Sequence, residues 1–113
     1  MKKAILVTGG AGFIGSALIR LLLTKNCDNI INLDALTYAG DTERLPDNEI
    51  VHTVKENICD QEPVAELFDR YHPAIVFHLA AESHVDRSID GPQAFVQTNV
   101  QGTLNLLQCT TQY

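Results

Sequence analysis

The chain has 113 residues, 45% of them hydrophobic, and a formal net charge of -6, which suits one globular unit with its own core and excludes disordered, collagen-like and small disulfide-bonded classes. The eight cations are scattered from Lys2 to Arg87 and form no basic stripe, so nucleic acid is not an expected partner. Cys27, Cys59 and Cys109 are odd in number, far apart and without C-x-x-C or metal-ligand spacing; with no run near the ~20 apolar residues that span a bilayer, they point to a soluble cytoplasmic protein with reduced thiols and no metal site.

In chain order, short β-branched runs alternate with longer helical patterns, the signature of βαβ units and a parallel sheet. Ala4-Ile5-Leu6-Val7 reads as a strand buried on both faces and closed by Gly9-Gly10. No cleavage-type segment follows, so this start is not expected to be a signal peptide. Ile14, Ala17, Leu18, Leu21 and Leu22 then fall at helical spacing from Phe13 to the polar Lys25-Asn26. Asn29 to Asp34 gives a second buried strand and Ile50 to Lys55 a third, with a loop between them that contains Gly40 and Pro46. Asp60 is expected to cap a helix with Glu62 in its first turn, lined by Val64, Leu67, Phe68 and Tyr71 and stopped by Pro73. Ala74 to Leu79 is the fourth strand. Asp90, Pro92 and Gln93 resemble a capping box that opens a last helix, whose predicted buried stripe is Phe95, Val96, Val100, Leu104 and Leu107. No repeat, linker or boundary interrupts the chain, and right-handed crossovers give an α/β, Rossmann-like three-layer parallel sheet in the order 3-2-1-4.

The chemistry sits first in the glycine loop. Thr8-Gly9-Gly10-Ala11-Gly12-Phe13-Ile14-Gly15 contains G-x-G-x-x-G from Gly10 and the short-chain-dehydrogenase spacing G-x-x-G-x-x-G from Gly9 through Gly12 to Gly15. One glycine turns the chain, one lets backbone amides approach a pyrophosphate, and one lets the helix pack closely. The second strand ends in Asp34, about 20 residues beyond the last glycine, where the motif needs a carboxylate to accept hydrogen bonds from the adenosine ribose hydroxyls. An acid there repels a 2′-phosphate and no arginine stands beside it, so the expected cofactor is NAD rather than NADP.

Three stretches carry a resemblance. They are residues 7–16 (VTGGAGFIGS), residues 34–40 (DALTYAG) and residues 78–89 (HLAAESHVDRSI). Together they resemble the dTDP-glucose 4,6-dehydratases, a family of extended short-chain dehydrogenases. The first stretch belongs to that whole class; the last narrows the choice, because related epimerases differ after Leu-Ala-Ala and GDP-mannose dehydratases tend to carry Gln where Glu82 stands. The resemblance implies a cofactor site in which Phe13 and Ile14 follow the pyrophosphate loop, while Asp34, Ala35, Leu36 and Thr37 surround the adenosine ribose. Leu79, Ala80, Ala81, Glu82 and Ser83 would run beneath the nicotinamide half, Ser83 also facing the sugar of a nucleotide-sugar substrate, and Thr98 would touch the cofactor from the last helix. One departure stands out: where the family has Asp-Ile after the third strand, with the Asp accepting from the adenine amino group, this chain has Asn57-Ile58. Asn keeps a carbonyl acceptor without the charge, so adenine recognition is expected to be weakened rather than lost. His84, Asp86 and Arg87, like His52, His72, His78 and Tyr38, are expected to be structural or exposed rather than catalytic.

The family's reaction implies a Tyr-x-x-x-Lys pair and a Thr-Asp-Glu segment. Neither occurs: the residues four positions after Tyr38 and Tyr71 are Thr42 and Ile75. No catalytic residue is therefore assigned, and residues 1–113 are expected to be an incomplete NAD-binding domain without its substrate domain, inactive alone. A UDP-sugar epimerase or dehydratase, or a non-catalytic nucleotide-binding module, are the alternatives. With strand four at an edge, the unpaired ladder is expected to invite self-association.

Overall fold

The computed structural model describes residues 4–25, 29–35, 48–80 and 97–112, with backbone alone for Gln97 and Thr98. Strand β1 (Ala4–Thr8) leads into helix α1 (Phe13–Leu22); β2 (Asn29–Asp34), β3 (Val51–Lys55), helix α2 (Gln61–Tyr71) and β4 (Ile75–His78) follow. A π-helical turn, Gln97–Gly102, then runs into helix α3 (Thr103–Gln112). The four strands are all parallel in the order β3-β2-β1-β4, as the crossover rule requires. Among the described residues nothing pairs with the outer edge of β4.

Alternation along the central strands divides the core between the two faces of the sheet. Leu6, Ile31 and Leu33 join Ile58, Val64, Phe68, Leu106 and Cys109 under α2 and α3, whereas Ile5, Val7 and Ile30 meet Ile19 of α1 on the opposite face. That makes three layers. β1 and most of β2 are buried throughout because both faces are covered. α2 ends where its apolar stripe ends: His72 adopts a left-handed conformation (φ 46°), its amide bonds to the Phe68 carbonyl, and Pro73 prevents continuation.

Three local expectations are corrected. Of the residues read at helical spacing in α1, Ile14 and Leu21 are 69% and 55% exposed, and the helix buries Gly15, Ser16 and Ile19 instead. Asp60 occupies the N-cap position of α2 with extended backbone, yet its side chain makes no capping hydrogen bond. The stripe predicted for the last helix points the wrong way. Val100, Leu104 and Leu107 are 57%, 47% and 58% exposed, and the helix instead buries Asn105, Leu106 and Cys109. Helical spacing groups Val100, Leu104 and Leu107 but does not say which face meets the core, and the face that packs is the one carrying Leu106 and Cys109. Asn105 tolerates burial because its amide nitrogen donates to the Ile58 carbonyl at 2.7 Å. Phe95 and Val96, with the capping residues Asp90, Pro92 and Gln93, lie outside the described residues.

The inward face makes a direct prediction. Leu106→Ala is expected to lower the unfolding free energy by about 2–5 kcal/mol, and Leu107→Ala to change it by no more than about 0.5 kcal/mol, measured by urea denaturation.

Candidate functional site

The site is assembled where β1, β2 and β4 end side by side. After Thr8 the chain turns at Gly9, whose φ of 73° is in the left-handed region that glycine adopts without cost. A side chain there would also strike the Leu79–Ala80 peptide, since an added Cβ would lie 2.8 Å from the Ala80 nitrogen. Gly15 is needed for a separate reason: a methyl group on it would collide with the Gly9 carbonyl, so only glycine lets α1 start this close to the loop.

Three consecutive loop amides are taken by β2. Gly9 donates to the Leu33 carbonyl at 2.9 Å, Gly10 to Asn32 Oδ1 at 2.8 Å, and Ala11 to Asp34 Oδ2 at 2.9 Å. Gly12 bonds back to the Gly9 carbonyl at 3.1 Å, and the first α-type bond of α1 runs from Ser16 to the Gly12 carbonyl at 2.9 Å. The amides of Phe13, Ile14 and Gly15, in the first turn of α1, therefore have no partner within the helix. Nothing in the helix competes for them: its N-cap is Gly12, without a capping side chain, and its first turn contains no acid. Phe13 and Ile14 are 80% and 69% exposed. The result is an uncapped, positively polarised helix end on a rigid loop, which suits a phosphate or pyrophosphate.

Asn32 and Asp34 are buried polar residues in a strand that otherwise contributes to the core. The Nδ2 of Asn32 is buried without a hydrogen-bond partner among the described residues. A cost of about 1–3 kcal/mol attends such a group, and the strand tolerates it because Oδ1 on the same side chain holds the Gly10 amide. Ala35 follows Asp34, half-buried.

At the end of β3, Asn57 is exposed and its Oδ1 accepts from the Cys59 amide at 2.9 Å. The acceptor that would face an adenine is thus already engaged once, with one lone pair left. Ile58 packs into the core, where a side chain on Gly102 would collide with it, and its carbonyl is held by Asn105. Burial raises the pKa of both Cys59 and Cys109, with the Asp60 charge adding to the shift at Cys59, so neither thiol is activated as a nucleophile.

At the end of β4, the buried Thr8 hydroxyl accepts from the amides of Leu79 and Ala80 at 3.0 and 3.1 Å and lies 2.6 Å from His78 Nδ1. The other ring nitrogen of His78 is 2.9 Å from Thr103 Oγ1. Burial lowers the His78 pKa below the ordinary 6.5. His52 is likewise structural, stacked on Tyr71 and 3.3 Å from Asn29 Oδ1, and His72 is exposed.

Of the residues named from sequence, the structure brings Gly9, Gly12, Phe13, Ile14, Gly15 and Asp34 into one loop system and sets Leu79 and Ala80 against it. Asn57 and Ile58 lie at the end of the neighbouring β3, and the backbone of Thr98 falls in the π-helical turn. Leu36, Thr37, Ala81, Glu82 and Ser83 lie outside the described residues, as do Tyr38, His84, Asp86 and Arg87. Sequence reasoning missed Asn32, Thr8 and His78. The signal for Asn32 was available, a lone amide inside an apolar strand two residues before the acid; the pairing of Thr8 with His78 depends on strand register.

The parallel sheet and the glycine loop at its β1–α1 turn define a Rossmann-like α/β unit of the short-chain dehydrogenase class. The chain belongs to the GDP-mannose 4,6 dehydratase family, whose model matches residues 6–113. It is 48% identical over 112 residues to dTDP-glucose 4,6-dehydratase of Salmonella typhimurium, covering 96% of this chain and 31% of that protein. Among solved structures, UDP-glucose 4-epimerase of Thermotoga maritima with UDP-glucose superposes with a TM-score of 0.90 at 37% identity, over 97% of this chain and 34% of the other. A dTDP-glucose 4,6-dehydratase from Streptomyces venezuelae, with NAD and TYD bound, gives 0.87 at 45% identity, over 94% and 35%. The chain thus spans about a third of the length of its relatives.

Replacing Asn32 with Ala should strand the Gly10 amide and lower the unfolding free energy by about 1–3 kcal/mol; chemical denaturation measures it.

Proposed function

We propose that this chain is the NAD-binding portion of a dTDP-glucose 4,6-dehydratase. The observation that carries the proposal is the uncapped N-terminus of α1, set beside the Asp34 carboxylate by the bonds from β2 to the loop. The site fits a dinucleotide: the α1 end offers amides to a pyrophosphate, Gly9 and Gly15 keep the loop close, and the acid at the end of β2 is the group that selects ribose hydroxyls over a 2′-phosphate. Ala35, Leu36 and Thr37 would continue around the ribose, Leu79 to Ser83 would underlie the nicotinamide half with Ser83 toward the sugar, and Thr98 would add a contact from the π-helical turn.

When bound, NAD supplies the oxidation of the sugar and its later re-reduction. The described residues of this chain bind and orient; the 113 residues contain no Tyr-x-x-x-Lys pair to move the proton. Likeness to dehydratases and to an epimerase fits a nucleotide-sugar substrate, and the 48% and 45% identity to the Salmonella and Streptomyces dehydratases against 37% to the Thermotoga epimerase, with Glu82 to Ile89, favours the dehydratase over a UDP-sugar epimerase.

Calorimetry tests the reading. NAD is expected to bind at least about ten-fold more tightly than NADP, and Asp34→Ala to weaken NAD by about ten-fold or more, the size of a hydrogen bond to a charged group. Asn57→Asp should tighten NAD several-fold by restoring charge to the adenine acceptor. No binding at millimolar NAD, or equal binding of NADP, would refute the proposal.

A further inference from the structure

We propose that His78, with its ring proton on Nε2, is a positioning residue of the cofactor site that ties the exit of β4 to the π-helical turn carrying Thr98. The inference rests on the NAD reading above and adds to it a residue that touches no cofactor.

The hydrogen bonds around His78 have only one consistent direction. Thr8 Oγ1 accepts the Ala80 amide at 3.1 Å and a share of the Leu79 amide at 3.0 Å, the same N–H also bonding the Thr8 carbonyl at 3.1 Å, so the hydroxyl is already an acceptor. Its own proton is left for His78 Nδ1, 2.6 Å away, and in the neutral ring Nδ1 then accepts. The ring proton is therefore on Nε2 and is donated to Thr103 Oγ1 at 2.9 Å. The Thr103 hydroxyl donates in turn to the Asn99 carbonyl, also at 2.9 Å, and because that carbonyl can only accept, Thr103 Oγ1 is the acceptor at His78 Nε2. Asn99 lies in the π-helical turn, so this side-chain bond ties the first residue of α3 to that turn.

The chain of bonds joins β1, β4, the first two residues of the Leu79–Ser83 segment and the turn that holds Thr98. Both ends belong to the proposed cofactor cradle. Protonating the ring would disturb the chain, because Nδ1–H would turn towards Thr8 Oγ1, which would have to stop donating there and accept in competition with the Ala80 and Leu79 amides. Facing the ring are Thr8 of β1 and Thr103 of α3; no charged group among the described residues acts on it, and burial alone disfavours the imidazolium. His78 is thus suited to hold one geometry at neutral pH and to release it in acid.

The test combines a ring measurement with affinity. Long-range nitrogen–proton NMR of His78 is expected to show the Nε2–H tautomer at pH 7; the Nδ1–H tautomer, or an even mixture, would overturn the proposal without any variant having to fold. Thr103→Val should raise the Kd for NAD at least five-fold, and Thr103→Ser, which keeps the hydroxyl, should stay within two-fold of the wild type. The wild-type Kd should rise as the pH falls through the lowered pKa of the imidazole, and that rise should vanish in His78→Gln. Unchanged NAD affinity in Thr103→Val overturns this proposal alone, whereas a wild type that binds no NAD overturns the cofactor reading and this proposal with it.

Discussion

The described site depends on β2 holding the turn after β1. Leu33, Asn32 and Asp34 accept from the amides of Gly9, Gly10 and Ala11 in succession, one through its carbonyl and two through side chains on the opposite face of the strand. Three bonds of this kind fix a loop that contains three glycines within four residues and would otherwise lose much conformational entropy on ordering. With those amides consumed, the amides of Phe13, Ile14 and Gly15 are the ones left pointing outward. Which amides the loop leaves available is thus a matter of elimination.

Strand order explains why the other elements converge on the same place. In the order β3-β2-β1-β4 the C-terminal ends of all four parallel strands lie along one edge, and β1 has β2 and β4 as its two neighbours. Thr8 serves the β4 side and the glycine loop serves the β2 side, so the end of β1 organises both. The Asn57 to Cys59 segment beyond β3 is fixed from the far side of the sheet, where Asn105 takes the Ile58 carbonyl and Gly102 lets the helix approach. Buried polar side chains, Asn32, Asp34, Thr8 and Asn105, thereby connect core to site. Each satisfies a backbone group where regular structure stops, which is why they survive in a core that has little other polar content.

The fold was readable in the sequence because its signals are local and mutually consistent: continuous apolar strands, helical spacing in α1 and α2, and glycines placed between the first strand and the first helix, although spacing chose the wrong face of α1, which buries Gly15, Ser16 and Ile19. Gly9, Gly15 and Asp34 could be assigned on the same grounds. What escaped was non-local or irregular. The pairing of Thr8 with His78 crosses 70 residues and follows from register. The exposed face of Val100, Leu104 and Leu107 was misread because an apolar stripe at helical spacing does not say which face of the helix the sheet and α2 will cover. Asn57 was read from sequence as an adenine acceptor in place of a carboxylate, and its bond to the Cys59 amide is a turn interaction that spacing does not reveal.

Amide hydrogen exchange with and without NAD tests most directly whether the loop is preorganised. The account predicts that the amides of Gly9, Gly10 and Ala11 are protected in the free protein and change little on adding NAD, while those of Phe13, Ile14 and Gly15 become protected only when it is present. Free exchange at Gly10 and Ala11 until NAD is added would contradict it.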